Sequence, residues 1–239
     1  MNVEQVISTK LRKQHEIERA EHISSGKLSA SQLAKPLLEQ VLKIIGVPEA
    51  PVSDYSLRLF ERGNQVEAWV VEQLYEDGKT KTQVEIDYKG VIGFVDLLIG
   101  GVPYEVKSVK GSQWKWLQKE GIRWSHKLQA GLYGLALEAE QAQVVYVCAD
   151  DFRIMQCALI VADIKPEIEK IMGEVKQALK SATLPEFKPR EDWHAKPEYG
   201  EKYSSYGEWL QLPTDLAMEK LKRDYPNSYK RLIKLSGGK

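Results

Sequence analysis

The sequence contains few cysteines: its 239 residues include only Cys148 and Cys157. Two thiolates cannot complete a four-ligand zinc or iron–sulfur site, and their spacing does not indicate a disulfide framework. Both cysteines lie in apolar, strand-like segments, so we expect buried free thiols. Functions based on cysteine chemistry are therefore disfavoured.

Long apolar runs are also missing. No segment approaches the ~20 apolar residues of a membrane-spanning helix, and the N-terminal MNVEQVISTKLRKQ lacks the apolar core of a secretory signal. We therefore expect a cytoplasmic protein with no membrane partner, in a bacterial cell or, for a phage-encoded protein, in its host.

Neither sign of charge is in excess, because 34 basic residues match 34 acidic ones. This balance argues against a protein that coats nucleic acid by bulk electrostatics. It does not exclude a nuclease, whose clustered carboxylates offset basic residues elsewhere. Hydrophobic residues make up 43% of the chain, which suffices for a packed core.

Hydrophobic periodicity predicts an α/β (α+β) protein with a central mixed β-sheet flanked by helices. Residues 1–54 form an N-terminal helical segment, with Ser29 as a helix N-cap and Gly46 as a stop; 55–181 form the core, and 182–239 an aromatic-rich tail that packs on the core. The core pattern predicts helices at 55–76, 125–140 (capped by Ser125) and 163–181, a connection at 111–124, and strands at 81–89, 91–99, 102–109, 142–149 and 153–161.

The most informative feature is a predicted hairpin that carries three charged residues. Gly100-Gly101 supplies a two-residue turn, so residues whose numbers sum to 201 face each other and Asp96 lies opposite Glu105. Lys107 follows Glu105 by two positions and shares its face. An alternative interpretation is a salt-bridged ladder on a solvated sheet face.

Two facing carboxylates repel each other unless a cation lies between them, and open oxygen ligands suit Mg²⁺ or Mn²⁺. The Val106 carbonyl is a further candidate ligand. Such a metal would activate water for the hydrolysis of a phosphodiester. Lys107 would orient that water or stabilise developing charge. The hairpin therefore predicts a metal-dependent hydrolytic centre.

The residues around this hairpin resemble the PD-(D/E)XK nuclease superfamily, specifically its RecB-like and phage-type exonuclease branch, from about Ser29 to Ala149. The family motifs Gly-x-x-x-(His/Glu), Gly-x-x-Asp, Glu-x-Lys and Gln-x-x-x-Tyr are matched in order by Gly63 to Glu67, Gly93 to Asp96, Glu105 to Lys107, and Gln129 to Tyr133. Each motif is short enough to match by chance, so the order of the four motifs is what carries the resemblance.

The resemblance implies a restriction-endonuclease-like core that binds one or two Mg²⁺ or Mn²⁺ ions, with Glu67 as a further metal ligand. Gln129 and Tyr133 lie four residues apart on one helical face, where they would support the lysine or a DNA phosphate. The implied activity is that of a deoxyribonuclease, an exonuclease acting on DNA ends or single strands in recombination, repair or phage DNA processing.

The alternative is a nuclease-fold protein that binds nucleic acid or a partner without cleavage, although the intact acidic and lysine set argues against it. A homo-oligomer and a recombination partner protein both stay open. Many relatives of this branch hold an iron–sulfur cluster through four cysteines. Here LSASQLAKPLLEQ and WHAKPEYGEKYSSYGEW resemble the segments that carry those ligands but contain none of the cysteines, so we expect no cluster.

Basic residues and tryptophans alternate between positions 106 and 127, where Glu120 is the only acid. Basic groups contact phosphates and tryptophan rings stack on unpaired bases. The candidate nucleic-acid contacts are Lys110, Trp114, Lys115, Trp116, Lys119, Arg123 and Lys127. The alternative interpretation is that the tryptophans belong to the core and the lysines to a solvated rim. His126 is expected to support the start of a helix rather than to act as a base.

Overall fold

The computed structural model describes residues 2–23, 27–196 and 198–237. The chain forms two compact units: the first contains Met1–Glu18, Ser29–Ser31 and Ser53–Ile168, and the second Arg19–Leu28, Gln32–Val52 and Glu169–Lys239. The expected 1–54 segment is thus divided between the two. Within the described ranges, no helix combines the length and apolar character that a membrane span requires.

The strands form one mixed sheet: β1 (Leu28–Ser29), β2 (Thr80–Tyr88), β3 (Val91–Ile99), β4 (Val102–Val109), β5 (Gln141–Cys148) and β6 (Ile154–Ile160). Their order is β1-β3-β4-β5-β6, and β2 also pairs with β3. β4 and β5 are parallel, whereas the β2–β3, β3–β4 and β5–β6 pairs are antiparallel. The predicted mixed sheet is confirmed, with β3 and β4 at the predicted bounds.

The α-helices are α1 (Val3–Ile23), α2 (Leu37–Ile45), α3 (Asp54–Leu74), α4 (Gly111–Glu120), α5 (Trp124–Ala136), α6 (Val161–Lys180), α7 (Glu198–Lys202), α8 (Thr214–Asp224) and α9 (Pro226–Leu235). The mixed sheet is therefore flanked by helices, as the sequence predicts. α3 begins after Ser53, whose hydroxyl accepts the Ser56 N–H as a helix cap.

The first unit packs helices against its sheet. Val66 and Val70 of α3 share a buried cluster with Leu97, Val106 and sheet valines of β5. Because side chains alternate along a strand, Glu105 and Lys107 leave β4 on the face opposite to Val106. α5 packs against β4 and β5. The helix covers the strand that carries the candidate catalytic residues.

The second unit has its own aromatic core. Leu38, Val41 and Leu42 of α2 cluster with buried residues of the 182–239 tail, namely Leu184, Tyr199, Tyr206, Trp209, Leu210, Ala217, Leu221 and Leu232. α2 ends at Gly46, whose φ of 82° is the left-handed conformation that favours glycine. This end was predicted, and it is confirmed.

Several local predictions are wrong. The expected connection 111–124 contains α4, because Trp114 and Leu117 lie three residues apart and are buried on one side of a helix. Ser125 lies inside α5, whose N-cap is Arg123. Ser29 lies in β1, and the N-cap of α2 is Pro36.

The two cysteines are free thiols, as expected; Cys148 is buried and Cys157 is only half-buried. Burial raises the pKa of Cys157. Cys148 belongs to the interior of β5, where it is fully covered. Neither position indicates a reactive thiolate.

Candidate active site

β3 and β4 separate at Asp96. The two strands pair in the predicted register, in which the numbers of facing residues add up to 201: Ile99–Val102, Leu98–Pro103 and Leu97–Tyr104. Among the described residues, the pairing between these strands ends there, and Asp96 Oδ2 accepts the backbone N–H of Val106 at 2.7 Å. The buried Asp96 carboxylate therefore bridges the point where the strands separate, directly beside Glu105. Val106 contributes its N–H here, and its side chain belongs to the core.

Glu105 is almost fully buried, at 2% exposure, and pairs with Lys107. Its Oε1 contacts Lys107 Nζ, but within the described part of the chain its buried Oε2 has no hydrogen-bond partner. Burial raises the pKa of Glu105 and Lys107 lowers it in part, with a net rise. Burial also lowers the pKa of Lys107, but attraction from Glu105 and Asp96 outweighs it, so the net pKa is raised and the lysine is charged.

Asp96, Glu105 and Glu67 repel one another. Burial and then repulsion from Glu105 and Glu67 raise the pKa of Asp96 to about 8. Burial and repulsion from Glu105 raise the pKa of Glu67, which lies on α3 and is half-buried. The structure thus brings the three predicted carboxylates close enough to interact, with Lys107 as their shared cation.

The donor chemistry of these carboxylates suits a divalent cation. The unpartnered Oε2 of Glu105 is a buried acceptor, and such an atom is costly unless a donor or a metal satisfies it. Over the described ranges, no three His, Cys, Asp or Glu side chains already stand in a metal-binding arrangement. Lys107, the Val106 N–H and Gln83 each hold one of the three carboxylates. Oxygen donors of this kind suit Mg²⁺ or Mn²⁺.

Gly93 makes room for Tyr133. A Cβ at Gly93 would lie 2.7 Å from Tyr133 Cε1, closer than real contacts allow. The Tyr133 hydroxyl accepts a hydrogen bond from Gln129 Nε2 at 2.9 Å, and its interaction with Glu105 lowers the pKa of that carboxyl. Burial and then repulsion from Glu105 raise the pKa of Tyr133, so the phenol keeps its proton. The Gly-x-x-Asp and Gln-x-x-x-Tyr motifs therefore meet at one place.

Gln83 belongs to this site, and sequence reasoning missed it. Its Nε2 donates to Glu67 Oε1 at 2.6 Å. In the β2–β3 register, Thr82 pairs with Leu97 and Val84 with Val95, so Gln83 stands opposite Asp96. The Lys89-Gly90 turn, with φ of 52° and 90°, sets this register. That two-residue turn was the available sequence signal for Gln83.

Tyr146 is a second residue that the sequence did not single out. It pairs with Lys107 across the parallel β4–β5 register and therefore shares its face. Its hydroxyl accepts the Arg123 N–H at 3.1 Å and lies 2.9 Å from His126 Nδ1. Burial, Lys107 and Arg123 lower the pKa of His126 well below its usual value. The imidazole is neutral and held at the start of α5, as expected.

The candidate nucleic-acid residues divide into buried and exposed groups. Trp114 is 4% exposed, and Arg153 lies 5.1 Å above its ring. A base therefore cannot stack on Trp114, which corrects that expectation, because α4 turns this ring into the core. Trp116 is 48% exposed, with Arg123 5.2 Å from its ring centre.

The remaining basic candidates lie at the surface. Lys115 is exposed on α4, and Lys127 is half-buried on α5. Lys119 is exposed and pairs with Glu120 at 2.8 Å. Lys110 donates to the Tyr55 hydroxyl at 3.1 Å. These positions leave the lysines accessible to a phosphate backbone, unlike the ring of Trp114.

Comparisons with known proteins give distant similarities. No family model matches the chain. A search of curated proteins also finds no match. An alkaline exonuclease (LHK-Exo) from Laribacter hongkongensis is 16% identical over 64% of this chain and 89% of its own, with a TM-score of 0.45. The structure of LHK-Exo in complex with dAMP is 19% identical over 65% of this chain and 91% of its own, with a TM-score of 0.47.

A third solved structure, a phage-related exonuclease from Haemophilus somnus 129PT, is 14% identical over 65% of this chain and 96% of its own, with a TM-score of 0.37. The similar structures named here are thus exonucleases. At TM-scores below 0.5 and identities below 20%, none of them assigns an activity to this chain.

Proposed function

We propose that this chain is a metal-dependent deoxyribonuclease of the PD-(D/E)XK superfamily, in its RecB-like and phage-type exonuclease branch. Its substrate is DNA, at ends or in single strands, in recombination, repair or phage DNA processing. The first unit is its restriction-endonuclease-like core. No iron–sulfur cluster takes part, since the chain has only two cysteines.

One observation carries the proposal: a buried, unpartnered carboxylate oxygen lies among three mutually repelling carboxylates and one lysine. Glu105 Oε2 is the unpartnered atom, and Asp96 and Glu67 are the other carboxylates. A salt-bridged ladder on a solvated face would leave these groups exposed to water, whereas Glu105 and Asp96 are 2% and 8% exposed. Buried carboxyl groups with raised pKa values favour a cation site over a ladder.

Glu67, Asp96 and Glu105 would hold one or two Mg²⁺ or Mn²⁺ ions. When bound, the metal supplies Lewis acidity and an activated water. Lys107 keeps its proton because its carboxylate neighbours raise its pKa. Its ammonium can therefore donate hydrogen bonds to the attacking water or to a phosphate oxygen that gains charge. Gln129 and Tyr133 support Glu105 from α5.

DNA would approach along α4 and the start of α5. Lys115 and Lys119 offer charge, and Trp116 offers a ring that is 48% exposed and lies against Arg123. A base stacked on Trp116 would add about 1–3 kcal/mol. Single-stranded DNA suits such a surface better than an intact duplex, because its bases are free to stack.

The test is a cleavage assay on single- and double-stranded DNA labelled at either end, with Mg²⁺, Mn²⁺ or EDTA. We expect metal-dependent cleavage that Lys107→Ala abolishes. Lys165→Ala, which removes an exposed lysine of α6, is the matched control and keeps full activity. Cleavage in EDTA, or full activity in Lys107→Ala, would reject the mechanism. DNA binding without any cleavage would favour the alternative, a nuclease fold that only binds.

A further inference from the structure

Gln83 has a backbone conformation that its residue type disfavours. Its φ is 48°, in the left-handed region that glycine adopts readily and other residues adopt at a cost. β2 pairs with β3 on both sides of it, at Thr82–Leu97 and at Val84–Val95. The residue numbers of both pairs add up to 179, so the register is the same on either side and Gln83 is not an inserted bulge residue. Strain of this kind in mid-strand invites a functional explanation.

The side chain of Gln83 has one definite partner. Its amide nitrogen donates to Glu67 Oε1 at 2.6 Å. The hydrogen bond joins two elements, because Gln83 lies on β2 and Glu67 on α3. The same residue stands opposite Asp96 in the sheet. Gln83 thus lies beside two of the three candidate metal ligands.

Glu67 needs such a partner because it borders open space. Glu67 and Gln83 both line a cavity of about 680 Å³ that also includes Asn64 and Thr82. A glutamate on a helix surface has several rotamers, and Glu67 is repelled by Glu105 and attracted by Lys107. A donor on Oε1 selects one of these rotamers and leaves Oε2 for another ligand.

We propose that Gln83 is a positioning residue that holds Glu67 ready for a divalent cation, and that its left-handed backbone serves this contact. The proposal rests on the proposed function, in which Glu67 is a metal ligand. Hydrogen bonds that orient ligating carboxylates typically change metal affinity by about 10- to 100-fold when they are removed. We expect the lower end here, because the contact borders solvent.

The test uses two variants at this position. Gln83→Gly relieves the backbone and removes the amide, so it should melt at the same temperature as the wild type or higher. Gln83→Asn keeps an amide and tolerates the left-handed region, but it is one methylene too short to reach Glu67. Both variants should bind Mn²⁺ about tenfold more weakly in calorimetry. Both should also need more Mg²⁺ for half-maximal DNA cleavage.

The outcomes separate this inference from the proposed function. Wild-type protein that binds no Mn²⁺ would reject both. Wild-type binding with unchanged affinity in Gln83→Gly would overturn the positioning role alone. Unchanged Mn²⁺ affinity with a raised KM for DNA would also overturn it and make Gln83 a substrate contact. Weaker Mn²⁺ binding with unaltered KM at saturating metal supports it.

Discussion

Two buried glutamates, Glu105 in the first unit and Glu39 in the second, have nearly equal exposure and different surroundings. They are 2% and 4% exposed, and burial raises the pKa of each. Glu39 accepts a hydrogen bond from the Tyr199 hydroxyl at 2.7 Å. Glu105 pairs with Lys107 and keeps one buried oxygen without a partner in the described residues.

The difference is what distinguishes a structural carboxyl from a candidate ligand. Burial raises the pKa of Glu39, and its neighbours Lys35 and Tyr199 lower it in part, so both a cation and a hydrogen-bond donor already act on this carboxyl group. Glu105 has Asp96 and Glu67 beside it, and its repulsion contributes to the raised pKa of each. Burial alone therefore does not indicate a site; burial together with an acceptor atom that has no hydrogen-bond partner does.

Glu105→Gln should have the largest effect. The change removes a charge from a proposed metal ligand and should lower DNA cleavage by about 100-fold or more, beyond the usual loss for a supporting residue. It should also remove the rise in melting temperature that Mn²⁺ gives the wild type. The measurements are kcat on labelled DNA and thermal melting with and without metal.

Glu39→Gln is the matched control for this substitution, because it changes an equally buried glutamate in the same way. It retains an acceptor for Tyr199, so cleavage and Mn²⁺ stabilisation should both persist. Equal losses in the two variants would show that the assay reports folding rather than the site, and the contrast between the glutamates would collapse.

His194 gives the second unit an acid-sensitive element. Its Nδ1 accepts the backbone N–H groups of Arg190 and Glu191, both at 3.2 Å. Burial, Lys35 and Arg190 lower the pKa of His194 to about 4, from 6.5. Between these values the unfolded chain binds a proton that the folded chain does not. Stability is therefore complete above pH 6.5 and declines as the pH falls toward 4, by at most about 1.4 kcal/mol per pH unit.

Urea unfolding between pH 4 and 7 measures this decline. His194→Asn places a non-titrating acceptor where Nδ1 lies, so its stability should depend less on pH over this range. An unchanged pH slope in His194→Asn would assign the acid sensitivity to other groups.

Gly93→Ala should destabilise the first unit by about 1–3 kcal/mol, as overpacking usually does. The added methyl would lie 2.7 Å from Tyr133 and 3.1 Å from Ala30. Displacement of Tyr133 should also lower cleavage, because its hydroxyl interacts with Glu105. Gly93→Ala combined with Tyr133→Leu tests the cause: the smaller side chain should restore stability but not activity.

The hairpin at the site was predictable because glycine turns fix register. Gly100 and Gly101 both have positive φ. The turn that they form fixes the register of β3 and β4, and continuing that register past Leu97–Tyr104 brings Asp96 next to Glu105. The separation of the strands at Asp96 has no comparable signal. Neither does the left-handed conformation of Gln83, because no local preference of glutamine favours it.

The misassigned residues show where tertiary packing prevailed over local pattern. Trp114 belongs to a segment rich in lysine, and charge density suggested exposure. The i, i+3 spacing to Leu117 was the contrary signal, since it defines a buried helix stripe. Ser125 and Ser29 are good caps by residue type, yet the helices begin elsewhere. Cap preference contributes about 1 kcal/mol, which packing readily outweighs.

Gly63→Ala should have the smallest effect, and it stabilises. Gly63 lies inside α3, and a Cβ there would meet nothing within 4 Å. Alanine should therefore raise the free energy of unfolding by about 0.5–1 kcal/mol. Gly173→Ala in α6, where a Cβ also meets nothing within 4 Å, is the matched control in the second unit and should give the same gain.

DNA cleavage by the two variants shows whether either glycine lies close to the substrate. Gly63 precedes Glu67 by one helical turn and shares its face, whereas Gly173 lies outside the candidate site. A fall in kcat/KM in Gly63→Ala alone, with stability raised in both, would mean that substrate passes close to α3 at Gly63. Equal activity in the two variants would mean that substrate does not pass close to Gly63. A loss of stability in Gly63→Ala would contradict the open space beside this residue, and with it the position of α3 next to Asp96 and Glu105.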